Sequence, residues 1–279
     1  MSVTMGIIVG IDVGGSTTKI AGVKDGAVIS PMMAKASDPV ASLYGAFGKF
    51  TSENGIALTD IEHLMVTGVG SAFAGNTIYA LPATHVTEFV AIGKGGSYLS
   101  GLDRAIVVSM GTGTALVYCE NGKSVHLGGT GVGGGTLVGL AGKLLGTTNV
   151  KAIEEMAANG HRTEVDLSVN DMTEKNIGPT LHASMTASNF GKISDLARKE
   201  DIAAGLLNMI YETVGVAAIF AAREKNVKDI VLTGRLSALG SAAKTFKELG
   251  DTFGVNFVLP SDSEYATVIG AALTYFDRG

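Results

Sequence analysis

Residues 7–20 read Ile-Ile-Val-Gly-Ile-Asp-Val-Gly-Gly-Ser-Thr-Thr-Lys-Ile, an apolar and β-branched run that ends in a cluster of glycine, serine and threonine. Residues 105–117 repeat this plan as Ala-Ile-Val-Val-Ser-Met-Gly-Thr-Gly-Thr-Ala-Leu-Val. An Asp-Gly dipeptide at 25–26 follows the first stretch and an Asn-Gly dipeptide at 121–122 follows the second, and both favour the type I′ turns of β-hairpins. The sequence therefore predicts one strand–turn–strand–turn–strand unit in each half of the chain.

Composition limits the classes of protein to which the chain can belong. Its 279 residues are 46% hydrophobic and 17% charged, which provides enough apolar chain for one large domain or two of ordinary size. A net charge of −5 without a basic run argues against a nucleic-acid partner. The single cysteine, Cys119, excludes an internal disulfide and a cysteine-based zinc site. Because neither a signal-peptide pattern nor a long uncharged apolar run is present, we expect a cytoplasmic protein without a membrane span.

Hydrophobic periodicity predicts that strands alternate with helices in both halves. The predicted strands are 7–13, 17–23, 27–33, 63–67, 83–87, a hairpin over 105–117, 124–128, 229–233 and 256–259. The predicted helices are 38–53, 70–79, 88–99, one from about 137, 149–158, 200–224, 238–249 and 264–276. This alternation predicts an α/β protein with an N-terminal lobe at 1–104, a C-terminal lobe at 105–279 and a ligand cleft between them.

The residues from Asp12 to Lys19 provide the groups that a polyphosphate site needs. Gly14 and Gly15 allow backbone N–H groups to point into an anion-binding turn, the hydroxyl groups add donors, and Lys19 adds a positive charge. Asp12 ends a buried strand and is suited to hold Mg²⁺ through water. One glycine-rich hairpin is most often only structural, but two hairpins in matching frames favour a bound polyphosphate.

A glycine run at 128–136, Gly-Gly-Thr-Gly-Val-Gly-Gly-Gly-Thr, precedes a predicted helix. It lacks the Gly-Lys-Ser/Thr ending of a P-loop, but it places N–H groups at a helix N-terminus, where phosphate is favoured. A purely structural loop is the alternative.

Glu88 begins a predicted helix. It could be a general base for a substrate hydroxyl, or an ordinary acidic residue in a first helical turn, and spacing alone favours the second role.

Several motifs resemble those of known ATPases. The segment 12–19, Gly-Thr-Gly at 111–113 and Thr-Gly-Arg at 233–235 are similar to the two phosphate motifs and the adenosine motif of the actin, heat-shock-protein and sugar-kinase ATPase superfamily. More narrowly, the chain resembles the type II (eukaryotic-type) pantothenate kinases. This narrower resemblance is carried by the run at 128–136, Asp-Leu-Ser-Val-Asn-Asp at 166–171, Thr-Ala-Ser-Asn-Phe-Gly-Lys at 186–192 and Tyr-Ala-Thr-Val-Ile-Gly-Ala-Ala at 265–272.

The resemblance implies an α/β protein of two RNase H-like lobes, the actin-like ATPase fold, with an interlobe cleft. It implies ATP-dependent phosphorylation of the terminal hydroxyl of pantothenate to 4′-phosphopantothenate, the first step of coenzyme A biosynthesis, with Mg²⁺ as a second cofactor. The resemblance also implies a homodimer with the 200–224 helix at its interface, and regulation by coenzyme A or acyl-CoA. The family's catalytic carboxylate maps onto Glu88. The nucleotide and metal contacts map onto Asp12, Val13, Gly14, Gly15, Ser16, Thr17, Thr18, Lys19, Thr112, Gly134, Gly135, Thr136, Leu137 and Ser237.

The sequence departs from the family pattern at His126, where members often carry an arginine that holds the substrate. Histidine lacks the planar guanidinium fork that matches a carboxylate. We take His126 as a candidate substrate residue. Two other functions remain open besides pantothenate phosphorylation. The protein could be a kinase for another small hydroxyl compound, such as a sugar or amino sugar, or a non-kinase ATPase that acts as an activator or scaffold.

Overall fold

The first half of the chain forms a mixed six-stranded sheet. In the computed structural model, which describes residues 6–15, 17–35, 38–173 and 185–278, its strands lie in the order β3-β2-β1-β4-β6-β5. The predicted strands of this half are confirmed; β1, β2 and β4 are apolar runs that are mostly buried, whereas β3 and β6 are largely half-buried or exposed. The strands are β1 (Ile7–Val13), β2 (Thr17–Lys24), β3 (Ala27–Lys35), β4 (Ile61–Thr67), β5 (Thr77–Ile78) and β6 (Leu81–His85).

The second half forms a five-stranded sheet in the order β13-β12-β7-β8-β9. Its strands are β7 (Arg104–Met110), β8 (Thr114–Glu120), β9 (Lys123–Thr130), β12 (Asp229–Thr233) and β13 (Asn256–Val258), while β10 (Leu167–Ser168) and β11 (Thr186–Ser188) form a separate small ribbon. The helices of the chain are α1 (Pro39–Glu53), α2 (Glu88–Ser100), α3 (Gly134–Leu144), α4 (Val150–Ala158), α5 (Val169–Met172), α6 (Lys199–Glu224), α7 (Gly240–Phe253) and α8 (Ala266–Leu273).

The two large sheets share one topology. In the first sheet, β2 pairs antiparallel with both β1 and β3. On the other side, β4 runs parallel to both β1 and β6. In the second, β7, β8, β9, β12 and β13 repeat these relationships in the same order. The repeat includes the turns after β4 and β12, where Thr67-Gly68 matches Thr233-Gly234, both glycines have a positive φ, and a 3₁₀ turn follows each. The duplication predicted from two hairpins therefore extends through most of both sheets.

The helix predicted at 70–79 is wrong. Residues Val69–Phe73 form a 3₁₀ turn and the chain then enters β5. A Cβ atom on Gly70 would lie 2.5 Å from Cγ1 of Val13, so this glycine serves a close approach to β1 that a regular helix would not make. The closing helix is also shorter than the predicted 264–276, because 3₁₀ turns flank α8 on both sides.

Helices α2 and α8 each pack on the sheet of the other half. The side chains of Phe89 and Ile92 on α2 join an apolar cluster with β7, β8 and β12, whereas α8 packs with Ile8 of β1 and Met65 of β4. The two helices cross at Gly95 and Gly270, where an added Cβ on either glycine would overlap a backbone carbonyl of the other helix. Division of the chain into lobes at 1–104 and 105–279 stays a prediction, since these helices pack across it.

Helix α6 is the central helix of the second half. It is the one described helix that is long and apolar enough to cross a membrane by length and composition, but 61% of its apolar window is buried inside the protein. Ile210, Tyr211 and Val214 of α6 pack in the largest apolar cluster. The composition of α6 is thus explained by its position in the core.

Candidate active site

One cavity of about 620 Å³ lies between the two sheets, where the ends of β1, β4, β7 and β12 meet. Its walls bring together residues from the two duplicated hairpins, the glycine run and the first turn of α2. The predicted site residues that line it are Asp12, Gly14, Gly15, Thr17, Lys19, Glu88, Thr112, Gly134 and Gly135. A cavity of this size accommodates a nucleotide or a similar small molecule.

Asp12 and Lys19 form the charged wall of the first half. They stand directly opposite each other in the register of β1 and β2, and each is 9% exposed. Burial raises the pKa of the Asp12 carboxyl above its usual value, while the positive charge of Lys19 acts in the opposite direction. A carboxylate that is costly to bury alone is stabilised by a nearby cation, so the wall is suited to a metal ion and the phosphates that accompany it.

The turn between these strands is closed by the N–H of Gly14, which donates to the carbonyl of Thr17 at 3.0 Å. An added Cβ on Gly15 would meet nothing within 4 Å, so the backbone there is open to a ligand. Val13 and Thr18 point away from the cavity: Val13 belongs to the apolar core, and the Thr18 hydroxyl lies 2.7 Å from that of Ser42. The predicted Ser16 lies outside the described residues.

Glu88 occupies the first turn of α2 and faces the same cavity. Burial raises the pKa of its carboxyl, the negative charge of Asp12 raises it further, and Lys19 lowers it. The electrostatic coupling reflects three groups that share one cavity. The raised pKa makes the Glu88 carboxylate more basic than an exposed glutamate, which is the direction of shift that favours a general base.

The glycine run at 128–136 fixes the second hairpin in place. The N–H groups of Gly134 and Gly135 donate to the carbonyls of Gly111 and Thr112, both at 2.8 Å. An added Cβ on Gly133 would lie 2.7 Å from the carbonyl oxygen of Thr112. These glycines thus allow the backbone of the glycine run to lie against that of the second hairpin. As a result, the N–H groups of Gly134 and Gly135, which were expected to face phosphate, are bonded to the hairpin instead.

Three further predicted residues contribute to the shape of this wall. The Thr136 hydroxyl donates to the carbonyl of Gly131 and accepts from the N–H of Gly133, so it closes the loop, and Leu137 is buried in the core. The Ser237 hydroxyl donates to the carbonyl of Gly234 at 2.7 Å and lies 2.9 Å from the hydroxyl of Ser263. Their side chains support the cavity from behind.

His126 contacts Phe89, the residue that follows Glu88 in α2. Its ring is stacked on that of Phe89, with centroids 3.6 Å apart and planes inclined by 8°. His126 is exposed on β9, and it is not among the residues that line the cavity. The stack places the imidazole next to the first turn of α2.

Sequence reasoning missed Val69 among the lining residues and gave Arg235 only as part of the motif similar to the adenosine motif, not as a site residue. Each is the exposed side chain that follows Gly68 or Gly234 in the repeated Thr-Gly turn. Comparison of residues 66–70 with 232–236 could have found the pair, since Val-Thr-Gly-Val-Gly and Leu-Thr-Gly-Arg-Leu share their pattern.

The motifs at 166–171 and 186–192 lie away from the cavity, in and around the β10–β11 ribbon. Asp166 is buried and accepts hydrogen bonds from the N–H of Phe190 and the amide of Asn208. Lys192 forms an ion pair with Asp171 at 2.8 Å, which holds the pKa of that carboxyl well below its usual range. These motifs fasten the ribbon onto α6.

The family model described as Fumble matches residues 104–252. A type II pantothenate kinase of Oceanobacillus iheyensis is 32% identical over 209 residues, which cover 72% of this chain and 76% of that protein. A type II pantothenate kinase of Staphylococcus aureus strain USA300 is 33% identical over 184 residues, or 62% of this chain and 68% of that protein.

Solved structures share the fold at low sequence identity. The activator of the 2-hydroxyisocaproyl-CoA dehydratase from Clostridium difficile with bound ADPNP is similar at a TM-score of 0.70 and 16% identity, over 97% of this chain and 94% of that one. A ROK family glucokinase from Streptomyces griseus in complex with glucose and AMPPNP has a TM-score of 0.60 and 14% identity, over 96% and 99%. The two-sheet α/β architecture expected from the hairpins is confirmed as that of the actin-like ATPases and sugar kinases.

Proposed function

This chain belongs to the type II pantothenate kinase (Fumble) family, and from that premise we propose that it phosphorylates the terminal hydroxyl of pantothenate with ATP. The observation that supports the proposal most directly is the convergence of Asp12, Lys19 and Glu88 with two glycine-rich hairpins on one cavity. These are the parts that phosphoryl transfer requires, because catalysis in this class depends on positioning and charge stabilisation.

The acceptor hydroxyl attacks the γ-phosphorus. A bond forms between that oxygen and phosphorus while the bond to the β,γ-bridging oxygen breaks, so that ADP leaves and phosphopantothenate remains. Glu88 takes the hydroxyl proton, and Lys19 stabilises the charge on the phosphate oxygens. The raised pKa of Glu88 makes it a stronger base than an ordinary glutamate.

The residues fit a magnesium ion held mainly by water and phosphate. No group of three or more His, Cys, Asp or Glu side chains suited to a metal is found among the described residues. The carboxylates of Asp12 and Glu88 both line the cavity, and because Glu88 is assigned to the base, we assign Asp12 to the metal. Mg²⁺ in nucleotide sites commonly uses only one or two carboxylates together with phosphate oxygens and water. When bound, the ion would neutralise charge on the phosphates, and Asp12 would hold it through water.

The nucleotide contacts follow from the lining that both halves contribute to the cavity. Gly14, Gly15, Thr17 and Thr112 would contact phosphates, together with Ser16. Gly134 and Gly135 would lie against them. Val13, Thr18, Thr136, Leu137 and Ser237 would act by holding these turns in position. On the acceptor side, we assign His126 to the substrate; its stack on Phe89, the neighbour of Glu88 in α2, supports this assignment.

An acceptor screen tests the proposed function. ADP release by the purified protein is measured with pantothenate, with glucose, with N-acetylglucosamine and without acceptor. Release that depends on pantothenate, with phosphopantothenate identified by mass, supports the proposal. Release that depends on a sugar identifies a sugar kinase, and acceptor-independent hydrolysis that only a partner protein stimulates identifies an ATPase activator. Glu88→Gln, which keeps the shape of the side chain, serves as the control for chemistry at this cavity.

The proposal extends to assembly and regulation. On one face of α6, Phe220 is 61% exposed and Val216, one turn earlier, is partly exposed. Exposed apolar side chains on the surface of a helix are suited to contact with a second copy, so we propose a homodimer through α6 in the cytoplasm. Sedimentation of the wild type and of Phe220→Asp tests the dimer. Titration of the kinase assay with coenzyme A and acetyl-CoA tests feedback inhibition.

A further inference from the structure

The end of β4 lies between the two carboxylates of the site. β4 is the parallel neighbour of both β1 and β6, with Asp12 paired to Thr67 and Val66 paired to His85. The N–H of Val86 also donates to the carbonyl of Val66 at 2.8 Å, so pairing continues almost to Glu88. Adjacent parallel strands end at the same edge of a sheet, which places the turn after Thr67 between Asp12 and Glu88.

This turn is pressed against β1 by its glycines. Gly68 has a φ of 90°, and an added Cβ there would lie 2.5 Å from the Oδ1 atom of Asp12. Gly70 is similarly close to Val13. The side chain left free by this arrangement is that of Val69, which is 74% exposed and lines the cavity. The isopropyl group of Val69 therefore lies at the edge of the sheet that carries Asp12, the proposed metal carboxylate, and Glu88, the proposed base.

The turn after β4 in the first half has an equivalent after β12 in the second half. The equivalent turn of the second half begins at Gly234, with a φ of 86°, and presents Arg235 to the same cavity. Its segment resembles the adenosine motif and belongs to the nucleotide side. The equivalent turn of the first half then belongs to the acceptor side, where the structure offers an apolar side chain in place of a charged one.

We propose that Val69 determines acceptor specificity by contacting the carbon next to the phosphorylated hydroxymethyl group. The inference rests on the proposed function and adds the reason for its selectivity. In pantothenate that carbon carries two methyl groups, which pack against an isopropyl group. In a sugar the neighbouring carbon carries a hydroxyl or ring oxygen, which would lose water without gaining a hydrogen bond at Val69.

The test couples a change in the protein to a change in the acceptor. kcat and KM are measured for the wild type, Val69→Ala and Val69→Thr with pantothenate and with an analogue whose two methyl groups are replaced by hydrogen. Val40→Thr in α1 is the matched control, because Val40 is a 41% exposed valine that does not line the cavity. Thermal melting verifies folding, which the high exposure of Val69 favours.

We expect wild-type kcat/KM to favour pantothenate over the analogue by about tenfold or more, the usual value of a hydrophobic contact of this size. In Val69→Ala the preference for pantothenate falls to about threefold or less, with KM for ATP unchanged. In Val69→Thr the preference also falls, because kcat/KM for pantothenate decreases. Equal loss on both acceptors, or an unchanged preference, overturns the role of Val69 while the kinase function stands. A wild type that does not phosphorylate pantothenate overturns both.

Discussion

Replacement of Gly270 by alanine should separate the helices that position Glu88. An added Cβ would overlap the carbonyl oxygen of Ala91 and lie 2.5 Å from the backbone nitrogen of Gly95, whereas ordinary contact begins at 3.4 Å. Because both neighbours are backbone atoms, neither can turn aside, and α2 and α8 must move apart by about 1 Å. Glu88 lies two helical turns from Gly95 on the same rigid helix and moves with it.

The expected magnitudes follow from this displacement. Overpacking costs about 3 kcal/mol at a site that cannot relax, and the better helix propensity of alanine returns about 0.5–1 kcal/mol. A net loss of about 2 kcal/mol lowers Tm by roughly 4–8 °C in a chain of this size. A misplacement of about 1 Å at a catalytic group can cost about a hundredfold in kcat. Differential scanning calorimetry and initial-rate kinetics with pantothenate measure the two effects.

The matched control is Gly45→Ala in α1, where an added Cβ meets nothing within 4 Å. This variant should gain about 0.5–1 kcal/mol and keep its full turnover. If Gly270→Ala melts at the wild-type temperature with unchanged kcat, α2 and α8 are not in contact through this glycine and do not position Glu88 in this way.

Further predictions concern the charged groups and the aromatic stack. Glu88→Gln should lower kcat a hundredfold or more with little change in nucleotide affinity, and near-normal turnover would remove Glu88 from the mechanism. The wild-type kcat/KM should fall with decreasing pH through a pKa above 4.5, because the base must be deprotonated and its pKa is raised. Asp12→Asn should increase the Mg²⁺ concentration needed for half-maximal rate at least tenfold, and an unchanged Mg²⁺ titration contradicts the assignment of Asp12 to the metal. The same variant should shift the fall of kcat/KM at acid pH to lower pH, because Asp12 raises the pKa of Glu88. His126→Phe keeps an aromatic stack on Phe89 but removes the polar ring, so KM for pantothenate should rise about tenfold, and a wild-type KM would show that His126 makes no polar contact with the acceptor.

Local pattern predicted much of the fold, because its signals are short-range. The strand at residues 7–13 has only apolar, small or terminal polar residues, and all seven are buried. The paired Asp-Gly and Asn-Gly turns have the positive φ values that type I′ hairpins require. The helix expected at 70–79 failed because the contact of Gly70 with Val13 is a tertiary one, which propensity in a short window does not report.

The site was harder to predict than the fold. Sequence alone suggested that the N–H groups of the glycine run face a phosphate, yet those of Gly134 and Gly135 are bonded to the neighbouring hairpin. Glycine marks a close approach of two backbones, but not which backbone comes close. Spacing alone likewise favoured an ordinary helix-start role for Glu88, and only the family resemblance suggested catalysis; the structure brings Glu88 to the same cavity as Asp12 and Lys19.

The exchange of α2 and α8 between the two halves has a consequence for folding. A fragment ending at residue 104 would lack the helix that covers β1 and β4, and a fragment beginning at 105 would lack the helix that covers β7 and β12. Each fragment would expose a wide apolar face, so neither half should be soluble when expressed alone, although the two co-expressed should find each other. A chain built from two repeated units is thereby expected to melt in a single cooperative transition.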